Sequence, residues 1–206
     1  MRVDVLDHPL VATQITELRS ETTSRSRFRE LVNLLTRSLV FAASAELSTR
    51  PKDVTTPMEP TSGVVVDRYP LLVPILRAGL GMLHPALEVL PESGTGFLGL
   101  RRDETTLQPS LYMNTLPRLD GAPVFLLDPM LATGGSAQAA ASITDDHGAG
   151  PITLIALLAA PEGIDALDRQ SRVDRLVTAA VDRELNEHGF ILPGLGDAGD
   201  RQFGTQ

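Results

Sequence analysis

From Gly63 onward the chain alternates short, wholly apolar runs with stretches of helical period, and this alternation limits the fold more than any other feature. Leu71–Leu76, Gly96–Leu100, Val124–Leu127, Ile152–Ala159 and Leu176–Val181 read as strands, and Leu80–Leu90, Gly135–Asp146 and Glu162–Arg169 read as the helices between them. Strands that are apolar on both faces need helices on both sides of their sheet, since a bare face would expose every second apolar residue. The expected fold class is therefore α/β, with a mainly parallel central sheet flanked by helices. In such sheets ligands sit at the carboxyl ends of the strands, so the loops there are where chemistry is sought.

Ahead of the alternation, Ser26–Leu47 places Phe28, Leu31, Val32, Leu35, Leu39, Val40 and Leu47 at helical spacing, which predicts a long N-terminal helix. Arg50–Ser62, rich in proline and threonine, breaks that period and reads as an excursion or hairpin. Pro193–Gln206 reads as a glycine-rich tail without helical period. With 206 residues, 42% of them hydrophobic, the chain suits one domain over 1–206 with one sizeable core. It has no cysteine, which removes disulfides, zinc–thiolate sites and thiol nucleophiles together. Met1–Val11 carries Asp4, Asp7 and His8 and no long apolar run, so a cytoplasmic protein without a membrane anchor is expected. The formal net charge of −8 argues against a nucleic-acid partner, and any anionic substrate must be met by arginines gathered locally.

One loop invites that chemistry. The run Val124–Leu127 ends at Asp128, and Pro129, Met130, Leu131, Ala132, Thr133, Gly134, Gly135 and Ser136 lead from it into an alanine-rich helix. Free backbone N–H groups, small hydroxyls and the positive end of the helix would converge there on one phosphate. The same residues also suit an ordinary strand-to-helix turn capped by Ser136, and the loop alone leaves both readings open. It is not a Walker A element, because no Gly-Lys-Ser/Thr follows at the required distance. Gly194-Leu-Gly196-Asp-Ala-Gly199 matches the spacing of a dinucleotide fingerprint, but the helix, second strand and distant acid of that motif do not follow it.

Strand, acid and Thr-Gly-Gly-Ser loop together resemble the class I phosphoribosyltransferases, and Asp128-Pro129 in place of two adjacent acids is similar to the uracil phosphoribosyltransferase form. Other segments resemble that family in order: His8–Val11, Phe28–Leu31, Val73–Met82, Arg102–Thr105, Ala159–Gly163, Leu185–Gly189 and Pro193–Asp200. The resemblance implies transfer of the ribosyl phosphate of phosphoribosyl pyrophosphate (PRPP) to uracil, giving UMP and pyrophosphate, with Mg²⁺ as cofactor and a homo-oligomer open to nucleotide control. It implies that Asp128 meets the ribose hydroxyls, Ala132–Ser136 enclose the 5′-phosphate, and Arg77 and Arg102 hold pyrophosphate. Ile191, Gly196, Asp197 and Ala198 would read uracil, Asp197 also reaching PRPP or its metal, and residues 102–117 would form a flap. Phe41-Ala42 and Thr115 depart from the family pattern, and no general base is named among His84, His147 and His188. A transferase for another base, sharing the phosphate loop, and a nucleotide-sensing RNA-binding protein of the same fold are the rival readings.

Overall fold

The computed structural model describes residues 1–102 and 109–205, and of Arg102 and Pro109 the backbone alone. In chain order the elements are β1 (Arg2–Val5), α1 (Pro9–Arg19), α2 (Arg25–Ser44), β2 (Thr49–Thr55), β3 (Pro60–Val66), β4 (Leu71–Leu76), α3 (Leu80–Val89), β5 (Leu98–Arg102) and β6 (Pro109–Asn114). Then come β7 (Val124–Leu127), β8 (Met130–Leu131), α4 (Gly135–Asp146), β9 (Ile152–Ala159), α5 (Pro161–Gln170), β10 (Arg175–Val181), β11 (Glu184–Leu185), β12 (Ile191–Leu192) and α6 (Ala198–Phe203). The central sheet runs β1-β10-β9-β7-β4-β5-β6, with β8 joined to the end of β9. All neighbours are parallel except β6, which returns antiparallel to β5.

Alternation along the strands divides the core into two layers. Phe125 and Leu127 of β7 share one cluster with Phe28, Leu31, Leu35 and Leu39 of α2, while Val124 and Leu126 share the other with Ala137, Ala140 and Ala141 of α4. The long helix α2 starts where Ser24 accepts the N–H of Arg27 and ends at Ser44, short of the expected Leu47. Pairing of Pro74 with Leu127 and of Leu127 with Ile155 sets β4, β7 and β9 side by side in parallel, so that the loops after them leave from the same edge of the sheet. That register brings the loops after these strands together.

Two segments differ from the sequence reading. The glycine-rich tail contains α6, whose N-cap Asp197 accepts the N–H of Asp200; six residues span less than two turns, too few to display a period. The first nineteen residues, unassigned above, form edge strand β1 and helix α1, which His8 caps through its ring and Pro9 opens. Of the expected flap, Pro109–Asn114 is a strand paired to β5, and 103–108 lie outside the described residues. The excursion after α2 is the β2–β3 hairpin, exposed along most of its length.

Candidate active site

Two cavities open at the carboxyl edge of the sheet. The smaller, about 90 Å³, is lined by Asp128, Met130, Leu131, Ala132, Thr133, Gly134, Gly135, Ser136 and Ala137. The larger, about 200 Å³, is walled by Ala78, Gly189, Phe190, Ile191, Gly196, Asp197, Ala198 and Gly199, together with Met130 and Ala132. Met130 and Ala132 line both, so the cavities abut across β8.

The smaller cavity is built almost entirely from one continuous segment. Gly134 stands at φ 84, a left-handed conformation that only glycine adopts readily, and it turns the chain into α4. Behind it lies α5: a side chain on Gly134 would meet the carbonyl oxygen of Gly163 at 3.2 Å, and one on Gly163 would collide with the carbonyl of Ala132. The glycine of the Ala159–Gly163 segment thus serves as the rear wall of the loop. Thr133 and Ser136 stay exposed at its mouth. Asp128 keeps part of its side chain open to the cavity, yet protein surrounds the rest. This loss of hydration pushes its carboxyl up to about 7, against the N–H of Met130, which donates to Oδ1 at 3.3 Å and favours the ionised form. Pro129 points its role elsewhere, its carbonyl accepting the N–H groups of Leu157 and Leu158.

The larger cavity draws on distant parts of the chain. Ile191, Gly196, Asp197 and Ala198, the residues that the resemblance assigns to uracil, all line it. Gln202 on α6 donates to the carbonyl of Ala78 at 3.3 Å and so fastens the tail to the loop after β4. Arg77, exposed, begins that loop beyond a cis Leu76–Arg77 peptide bond and lines neither cavity, although its neighbour Ala78 does. Arg102 ends β5, and its side chain lies outside the described residues. None of His84, His147 and His188 lines either cavity. Among the described residues no cluster of three or more His, Asp or Glu side chains is placed to hold a metal ion, and no helix is long and apolar enough to cross a membrane.

Sequence reading missed Arg19, Asp182, Arg201 and Gln202, which support the larger cavity from outside. Their partners lie up to 183 positions away in the chain, and no local pattern marks them.

A mainly parallel sheet with an acid and a glycine loop after β7, facing a second cavity across one short strand, is the arrangement of the phosphoribosyltransferase fold. A purine phosphoribosyltransferase of Pyrococcus horikoshii shares that fold at a TM-score of 0.51 and 12% identity, with 89% of this chain and 90% of that one covered. A structure of a protein from Aquifex aeolicus superimposes at a TM-score of 0.93 with 35% identity over 99% of both chains. The family model "Uracil phosphoribosyltransferase" matches residues 5–205. Curated uracil phosphoribosyltransferases of Streptomyces avermitilis, 49% identical over 100% of this chain and 99% of that one, and of Kineococcus radiotolerans, 50% identical over 100% of both, agree with it. The chain belongs to the uracil phosphoribosyltransferase family.

Proposed function

We propose that this protein joins N1 of uracil to C1 of the ribose of PRPP, forming UMP and releasing pyrophosphate, as a cytoplasmic single-domain enzyme of pyrimidine salvage. The observation that carries the reading is the abutment of the two cavities across Met130 and Ala132, which sets a phosphate cradle beside a cavity walled largely by backbone and small side chains. A pyrimidine edge presents carbonyl acceptors and an N–H donor, which suit exposed backbone groups better than charged side chains.

In this reading Asp128 receives the ribose hydroxyls, the 130–136 loop holds the 5′-phosphate on backbone N–H groups, and the departing pyrophosphate is assigned to Arg77 and Arg102. The bond from C1 to pyrophosphate lengthens ahead of attack, giving an oxocarbenium-like ribose, and the N1 proton leaves to pyrophosphate or water. Holding both substrates in line and stabilising charge on the leaving group account for the catalysis. Among the described residues no carboxylate cluster could carry Mg²⁺ alone, so the ion would be held chiefly by PRPP, with exposed Asp197 at the cavity rim as the protein group that could meet it. Held there, it would neutralise charge on the departing pyrophosphate. A homo-oligomer is the assembly we favour: β2–β3 pairs with itself, and its Met58 and Val64 are 91% and 71% exposed.

Incubating the protein with PRPP, Mg²⁺ and a panel of free bases tests the assignment. UMP is expected from uracil, and chelation of the metal should stop its formation. Turnover of a purine in place of uracil would overturn the reading.

A further inference from the structure

We propose that Arg19 and Asp182 are positioning residues for the base: their ion pair holds Gly194 and thereby fixes the backbone of the Ile191–Ala198 segment. The inference rests on the proposed reading of that segment as the uracil site. Arg19 is the last residue of α1 and Asp182 follows β10, and their side chains are 23% and 4% exposed. The guanidinium forks onto the carboxylate, with Nη1 donating to Oδ2 at 2.7 Å and Nη2 to Oδ1. Nη1 also donates to the carbonyl of Gly194 at 2.8 Å, while Oδ2 of Asp182 accepts the Gly194 N–H at 2.9 Å. Both backbone groups of one glycine are therefore held by one ion pair.

Gly194 needs such a hold. It stands at φ 61, and any side chain there would collide with the carbonyl of Ile191, so it has no side chain to anchor the turn. The clamp itself is tied to the sheet, since the N–H of Asp182 donates to the carbonyl of Ala159 at 2.8 Å, at the end of β9 where β8 is paired. On the far side Arg201 donates to the carbonyls of Leu195 and Leu18 at 2.8 Å and of Ser20 at 2.6 Å, with its guanidinium 4.4 Å from the Phe28 ring centre. Neither Arg19 nor Asp182 lines the larger cavity. They act through the loop. Backbone groups recognise a base well only if they are already in place, because ordering the loop on binding would subtract from affinity. A buried pair whose hydrogen bonds are satisfied on both sides is the arrangement that tolerates charge out of water.

The double variant Arg19→Met/Asp182→Asn removes the fork without leaving an unpaired buried charge. The Michaelis constant for uracil should rise about tenfold, the effect of losing one charge-assisted hydrogen bond, while PRPP affinity by calorimetry stays within about twofold. Arg19→Lys keeps the charge without the fork and should recover part of the loss. Arg27→Met breaks a half-exposed pair with Glu17 on the neighbouring helix and should leave the uracil constant unmoved. An unchanged uracil constant in the folded double variant overturns the proposal, as does an equal loss of PRPP affinity. Should that variant not fold, Arg19→Lys decides by the same measurement. Absence of UMP formation by the wild-type protein counts against the uracil reading, whereas UMP formation with an unmoved constant in the variants counts against the clamp alone.

Discussion

The loop we assign to phosphate and the loop we assign to the base lie against each other and are held by different means. Between Asp128 and Ser136 the chain makes its own cradle: the strand before it, the turn at Gly134 and the helix after it are contiguous. Between Ile191 and Ala198 the conformation is imposed from outside, by Arg19 of α1, Asp182 beyond β10, and Arg201 and Gln202 of α6. A self-built loop serves a ligand group common to many substrates, and an externally braced loop lets selectivity be set by residues that never touch the ligand. Damage to the first should abolish binding outright, and damage to the braces of the second should be graded.

The largest effect is expected at Gly134. Valine there would sit at positive φ with a branched side chain driven toward Gly163 and Ala166, so PRPP binding should be lost with far-UV circular dichroism unchanged. A folded Gly134→Val variant with wild-type PRPP affinity would return the loop to a plain helix-capping turn.

A second, intermediate effect separates chemistry from stability at Asp128. Its folded pKa of about 7 lies above the ordinary value of 3.8, so protonation favours the native state. The stability it contributes is full below about pH 4 and is lost as pH rises through about 7. Asp128→Asn, which never ionises, should therefore be more stable than the ligand-free wild type by about 1–3 kcal/mol near pH 8 and close to equal near pH 4. UMP formation should fall sharply at the same time. Thermal melts across pH check the first expectation, and a parallel pH response of both proteins would show that Asp128 is better hydrated than its surroundings imply.

The smallest effect belongs to a single brace. Gln202→Ala removes the bonds to Ala78 and Ala198 and should raise the uracil Michaelis constant about threefold, at a stability cost of about 1 kcal/mol. Steady-state kinetics at saturating PRPP measure it, and a change in PRPP affinity as large as that for uracil would erase the distinction between the loops.

Legibility in the sequence follows the same division. The strands β4, β7 and β9 and helix α4 were readable to the residue, because burial on both faces and an alanine-rich helical stretch are properties of contiguous residues. The cradle was readable for the same reason. By contrast, α6 was not: its six residues show no period, and it is fixed by Asp197 at its cap and by Gln202 beneath the loop after β4. Gly163 was legible as part of a family-like segment, but nothing local said that its missing side chain makes room for the carbonyl of Ala132.

By itself the sequence determined the α/β class, the turn from β7 through Gly134 into α4 and, through resemblance, the family and the segment proposed to face the base. Each of these is written in hydrophobic period, glycine placement or contiguous motif. Only the tertiary structure decided that Arg19, at the end of the first helix, and Asp182, 163 residues later, close on Gly194. The reason is physical: an ion pair is made by proximity, and proximity between α1 and the end of β10 exists only once the sheet has assembled and the helix has packed against it.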